Sequence, residues 1–190
     1  MLKAITKKRL LALATFLAKV PDHKFDLESW GSTDNLDDEK LQALNLDDGV
    51  SFADCAANVC GTTACALGWA ASMPKNRKAG LDLIAVTDGM FGPVDVYWKI
   101  RYRKRVRRSG KRDKYITYGN FEAGVKFFHL GGYQEACYFF DPDWYPEDAS
   151  RAKDVAERIR DYVKTEGKSF DRWMKDHITE SGEVDPEMAG

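Results

Sequence analysis

The chain has little of what marks the common enzyme classes. It contains no GxGxxG, no P-loop, no HExxH pair and no C-x2-C knuckle. That leaves a glycine-rich phosphate cradle, a zincin site and a tight structural zinc site without a signature. Histidine is scarce: His23, His129 and His177 are the three imidazoles available to any general-base chemistry. Four cysteines, Cys55, Cys60, Cys65 and Cys137, are too few for a disulfide scaffold in 190 residues, and reduced thiols are expected. No run approaches the roughly 20 apolar residues of a membrane span. The opening segment MLKAITKKRLLALATFLAKV mixes charge with apolar residues and lacks a cleavage site of small residues. The expectation is a soluble cytoplasmic protein with no membrane partner.

What is present is charge, unevenly placed. The formal net charge is −1, yet residues 99–114 hold ten Lys or Arg against one acid, Asp113. Residues 22–48 hold nine acids against Lys24 and Lys40. Such asymmetry makes a dipolar molecule whose two ends seek opposite partners. With 44% hydrophobic and 12% aromatic residues, the remainder is sufficient for one substantial core.

Periodicity places the elements. Leu10, Leu13, Ala14 and Leu17 follow the spacing of one buried helix face, with Thr6 as the expected cap and Pro21 as the stop. Residues 35–44 suggest a short helix, with Phe25 and Trp30 pinned to the core. Thr62 is expected to cap a small-residue helix running to about Met73 and closed by Pro74. The apolar run 81–86 predicts a buried strand. From Val94 the period is two. Val94, Val96, Trp98, Ile100 and Tyr102 share one face; Tyr97, Lys99, Arg101, Arg103, Arg105 and Arg107 share the other. A three-residue turn at SGK would set Arg107 opposite Asp113 and Tyr102 opposite Tyr118, making a basic hairpin over about 94–118.

The last third reads as helical. Asn120 is the expected cap of FEAGVKFFHL, Gly131 and Gly132 break it, and YQEACYFF forms a second short helix. The turn DPDWYP is pinned by Trp144 and Tyr145. Ala152, Val155, Ala156, Ile159, Tyr162 and Val163 then define the clearest amphipathic helix, and Phe170, Trp173, Met174, His177 and Ile178 repeat that geometry. The expected architecture is one α+β domain over 1–180, predominantly helical, with a small antiparallel sheet and a protruding basic hairpin. A disordered tail is expected over 181–190.

The hairpin combines two requirements of nucleic-acid binding: cations that displace counterions from phosphate, and rings on which bases stack. Lys99, Arg101, Arg103, Arg105, Arg107 and Arg112 are the expected phosphate contacts, with Tyr97 and Tyr115 as stacking platforms and Tyr118 flanking them. Arginine outnumbers lysine there, and its planar fork suits phosphate and base edges. An acidic protein surface, a nucleotide-like ligand, self-association with the acidic segment, or plain protection of a sheet edge would use the same charge differently. Edge protection needs only one or two lysines, so the density of charge favours an anionic partner.

The cysteine motif NVCGTTACALGWAASMP supports three readings. Cys60 ahead of a helix start would be an activated nucleophile, which makes it the one weak catalytic candidate, for a cysteine-dependent hydrolase. Zinc binding by Cys55, Cys60, Cys65 and either Cys137 or His129 is disfavoured by the C-x4-C-x4-C spacing. Small buried hydrophobes in a close-packed region are the reading that cysteine composition favours. CGTTACALGWA, followed downstream by FFHLGGYQEACYFFDPDWY and AKDVAERIRDYV, resembles a loosely defined group of uncharacterised bacterial and bacteriophage proteins. Their core is Cys-Gly-Thr-x-x-Cys-x-x-Gly-x-Ala. The resemblance implies that Cys60, Gly61, Thr62, Cys65, Gly68 and Ala70 belong to a shared motif and that the origin is phage or a mobile element. It carries no activity with it. The reading is therefore a non-enzymatic accessory protein that binds a polyanion, with no cofactor and no metal. A protein-interaction factor, such as an inhibitor of a host enzyme, is the alternative.

Overall fold

The computed structural model describes residues 1–28, 32–33, 50–51, 62–88, 95–106, 114–146 and 151–177. Its first helix, α1 (Ala4–Leu17), buries Leu10, Leu13, Ala14 and Leu17 as the spacing requires. Its cap position is Lys3, which makes no side-chain cap bond. Thr6 therefore does not cap; it lies inside the helix, buried, with a hydroxyl that finds no partner. The helix starts three residues earlier than the capping signal suggested.

The cysteine motif also begins differently from its sequence reading. Thr62–Thr63 is strand β3, paired antiparallel with β1 (Ser32–Thr33), not a helix cap. Helix α2 (Ala66–Ser72) starts at Cys65, whose sulfur accepts a hydrogen bond from the Gly68 amide at 3.4 Å. Pro74 opens α3 (Pro74–Lys78) at its first position, where its missing N–H costs nothing.

Next come the strands. β4 (Leu81–Asp88), β5 (Asp95–Val106) and β6 (Lys114–Gly119) form an antiparallel meander, and β2 (Val50–Ser51) adds to the outer side of β4. The sheet order is β2-β4-β5-β6, so β5 is interior and β6 is an edge. Leu81 and Leu83 from β4 and Ile100 and Tyr102 from β5 bury one face. Tyr102 stands opposite Tyr118, in the register expected from a three-residue turn, and the two rings stack at 6.2 Å. Asp95 to Tyr102 pair along the whole of β4, so the ribbon projects past β4 only from Arg103 onward.

Gly80 sets that branching point. Its φ is +96°, and the Arg103 amide donates to its carbonyl at 2.9 Å. A Cβ at Gly80 would lie 2.4 Å from the Arg103 carbonyl oxygen, so a side chain is excluded by both conformation and space.

Five further helical segments cover the sheet's apolar face and extend the core. α4 (Asn120–Phe128) brings Phe127 edge-on to Tyr102 at 5.4 Å. Asn120 does not cap it; Asn120 is its first residue at φ 48°, and Gly119 holds the cap position. α4 ends at His129, which takes the left-handed conformation ahead of Gly131 and Gly132. α5 (Tyr133–Phe140) is followed by a 3-10 turn (Pro142–Trp144), then by α6 (Ala152–Lys164) and α7 (Lys168–His177). α6 lies along α1, and its Val155, Ala156 and Ile159 are fully buried.

Arg158 ties the C-terminal elements together. Its Nη1 donates to the carbonyls of Tyr138 and Trp144, both at 2.8 Å, and its guanidinium lies 3.5 Å from the centre of the Tyr145 ring. One cation thus satisfies two carbonyls on two elements while covering an aromatic face. The architecture is α+β and mostly helical, as the sequence pattern predicts. Residues 35–44, Trp30, Ile178 and the 181–190 tail lie outside the described residues.

Two stability predictions follow from these junctions. Gly80→Ala is expected to cost about 1–3 kcal/mol through strain and the clash with Arg103, read as a lower denaturation midpoint. Arg158→Met keeps the aliphatic stem but orphans two carbonyls; about 2–4 kcal/mol should be lost, against little change for the exposed Lys153→Met control.

Candidate nucleic-acid interface

The alternation in β5 determines what the outer face carries. Because Ile100 and Tyr102 are buried, Lys99, Arg101, Arg103 and Arg105 must project to the opposite side. They differ in their surroundings. Lys99 is half-buried, and its stem runs beside Gly119, where a Cβ would approach its Cε to 3.1 Å. Arg101 is more enclosed, with 19% of its side chain exposed, and its Nη2 lies 3.9 Å from Asp82 on β4. Asp82 also meets Arg77 at 3.5 Å, so this carboxylate sits between two guanidinium groups. Arg101 is thereby the anchored member of the row.

Arg103 and Arg105 are exposed. They stand opposite Thr117 and Tyr115 of β6, both exposed as well. Directly opposed residues in an antiparallel pair are neighbours on one face. Tyr115, 56% exposed, therefore presents its ring beside Arg105 and one diagonal step from Arg103. The structure thus brings Arg103, Arg105 and Tyr115 together on the projecting part of the ribbon.

Other expected members fall elsewhere. Tyr97 lies in β5 opposite Val86, at the end of the strand far from Tyr115, and its side chain is outside the described residues. Arg107 and Arg112 are also outside them. Tyr118 does not flank the cationic face: it stacks on Tyr102 on the apolar side, with the Lys126 amine 5.7 Å from the centre of its ring. Of the acidic segment, Asp22, Asp26 and Glu28 are described, and none of the ion pairs among the described residues joins them to the ribbon.

Two features were not legible in the sequence. The Asp82–Arg101 pair depends on the register between β4 and β5, which no local pattern encodes. Lys104 carries a different lesson. It is an even-numbered position of β5, opposite Ile116, and so faces away from Arg103 and Arg105. The period-two count applied to Lys104 itself would have separated it from the arginine row.

The cysteines are structural where they are described. Cys65 is wholly buried, and desolvation pushes its thiol up to about 11 against the lowering effect of the Gly68 amide. Cys137 is buried on α5, and desolvation followed by the nearby Asp141 carboxylate pushes it up to about 12. Both are thiols, not thiolates, near neutral pH. Cys55 and Cys60 lie outside the described residues. No group of three or more His, Cys, Asp or Glu side chains close enough to hold a metal occurs among the described residues. Among those residues no helix is long and apolar enough to cross a membrane. A thiol-reactive probe near neutral pH is expected to leave Cys65 and Cys137 unmodified until the chain unfolds, as peptide mapping would read; rapid labelling of either in the native protein would contradict their burial. Comparisons with protein families, with curated proteins and with solved structures find no match to this chain.

Proposed function

We propose that this protein binds nucleic acid through the outer face of the β5–β6 ribbon, without catalysing a reaction. The observation that carries this reading is the cross-strand placement of Tyr115 beside Arg105, with Arg103 on the same exposed face. An exposed aromatic ring gains nothing from water, and cations crowded on a projecting ribbon repel one another. A polyanion with unpaired bases offsets both, with phosphate on the guanidinium groups and a base on the ring. Arg107 and Arg112 continue the basic run in the sequence. Arg101 serves as the root of the row through Asp82, so its role is to fix the ribbon more than to grip the ligand.

Ring stacking needs a base that is not already stacked in a duplex, so single strands are the favoured form. An acidic protein surface is the rival occupant of the same cationic face, and an accessory or inhibitory role towards a host protein would follow from it.

Fluorescence anisotropy with labelled single-stranded DNA, RNA and duplex DNA tests this, at about 50 and 200 mM salt, where several phosphate contacts change affinity strongly. The expected result is single-strand binding that weakens steeply with salt. Tyr115→Ala should weaken it by roughly tenfold, in keeping with about 1–3 kcal/mol per stacked base. Arg103→Glu with Arg105→Glu should abolish it. Weak, salt-insensitive signals for all three nucleic acids would overturn the reading, and capture of an acidic protein that the same double variant loses would replace it with the rival.

A further inference from the structure

The other side of the ribbon faces a second cationic feature. A cavity of about 390 Å³ is lined by Lys3 ahead of α1, Lys104 of β5, Glu122 and Lys126 of α4, His129 at the end of α4, and Tyr133 at the start of α5. That volume falls in the range of roughly 300–1,000 Å³ typical of small-molecule sites. Three amines and one carboxylate line it, and Lys3, Lys104 and Lys126 take part in no ion pair among the described residues. The Gly131 amide is already engaged by the Glu135 carboxylate at 2.6 Å, so it contributes no open donor.

An apolar surface is built into the same cavity. Tyr133 is 61% exposed, and its ring is held edge-on to Phe121 at 5.4 Å and 66°. The next residue inward on the turn, Gly132, would carry a Cβ with nothing within 4 Å, so the space beside Tyr133 is open. His129 lies between the ring and the amines in sequence and lines the same space. Its imidazole is held below the usual histidine range, first by desolvation and then by the charges of Arg9, Lys3 and Lys104. Lys3 and Lys104 of the lining are thus both felt at His129; Glu122 lines the cavity as well, and the Glu135 carboxylate sits at its edge, on the Gly131 amide.

We infer that this cavity binds a nucleoside phosphate, with the phosphate held by Lys3, Lys104 and Lys126 and the base against the ring of Tyr133. The site is distinct from the outer face, because period two sends Lys104 to the opposite side of β5 from Arg103 and Arg105. A phosphate monoester relieves the repulsion among three amines, and a planar base covers an aromatic surface that water otherwise wets. The imidazole of His129 reports on occupancy, since a phosphate beside it favours the imidazolium and raises its pKa.

The test is a pH titration of the three histidines by nuclear magnetic resonance, with and without adenosine 5′-monophosphate, uridine 5′-monophosphate or inorganic phosphate. A nucleotide is expected to raise the His129 pKa saturably while leaving His23 and His177 unmoved. Lys104→Glu with Lys126→Gln should weaken that binding by roughly tenfold or more, as the loss of charge-assisted contacts implies. Tyr133→Ala should weaken the nucleotides and spare inorganic phosphate. Arg103→Glu with Arg105→Glu, on the other face, should leave nucleotide binding in place. Circular dichroism of each variant establishes that it is folded. The inference is overturned if millimolar nucleotide leaves His129 unmoved, if inorganic phosphate binds as tightly as either nucleotide, or if the outer-face variant loses binding while the cavity variant keeps it.

Discussion

A strand cannot bury one row of side chains without presenting the other, and β5 is where that constraint governs this protein. Ile100 and Tyr102 lie on the buried side of the sheet, and Tyr102 is fixed by Tyr118 across the strand pair and by Phe127 from α4. Arg9 of α1 places its guanidinium over the far side of the environment, 4.0 Å from the Phe127 ring centre, and donates to the Phe127 carbonyl. With Tyr102 held from several elements, the register of β5 has no freedom to slip. A shift of one residue would bring arginine into the core and tyrosine to solvent. An outward-facing row is thus the obligatory counterpart of the aromatic inner one, and in this sequence that row is cationic.

From Tyr102 an aromatic succession crosses the molecule. Phe127 meets Phe128, Phe128 meets Phe140, and Phe140 meets Phe139. Phe139 contacts Tyr138 and Tyr162, Tyr138 contacts Trp173, and Trp173 stacks on both Trp144 and His177. Edge-to-face contacts fix ring orientation as well as distance, so this succession couples the sheet to the C-terminal helices. Arg158 closes the far end by satisfying carbonyls that the turn between α5 and α6 would otherwise leave without donors. The ribbon projects from this rigid body, its root fixed by Gly80 and by the Asp82–Arg101 pair.

The ribbon also divides two kinds of cationic surface. Its outer side is open and carries arginine beside an exposed tyrosine, suited to an extended polyanion. Its inner side, beyond the last buried tyrosine, meets α4 and the α4–α5 turn and encloses a cavity lined by lysine. Arginine on the open face and lysine in the enclosed one accord with their chemistry: a planar fork spans neighbouring phosphate oxygens, whereas an ammonium acts as a compact charge.

The sequence by itself determined the helical faces, the alternation of β5 and the register of Tyr102 with Tyr118, because each depends on periodicity or on the length of one turn. Burial of Cys65 and Cys137 agrees with the one of three sequence readings that cysteine composition favoured. Capping was less legible: Thr6, Thr62 and Asn120 have the right chemistry for helix starts, yet the cap positions lie at other residues, and Thr62 pairs in a strand instead. Only the tertiary structure decided which basic residues are exposed, which is anchored by Asp82, and which meet across the cavity. Lys3, Lys104 and the Lys126–His129 end of α4 come from three separate parts of the chain, and no local pattern joins the three. Their proximity arises from the packing of α1, α4 and the sheet on one aromatic core, a long-range arrangement that a period of two or 3.6 residues does not contain.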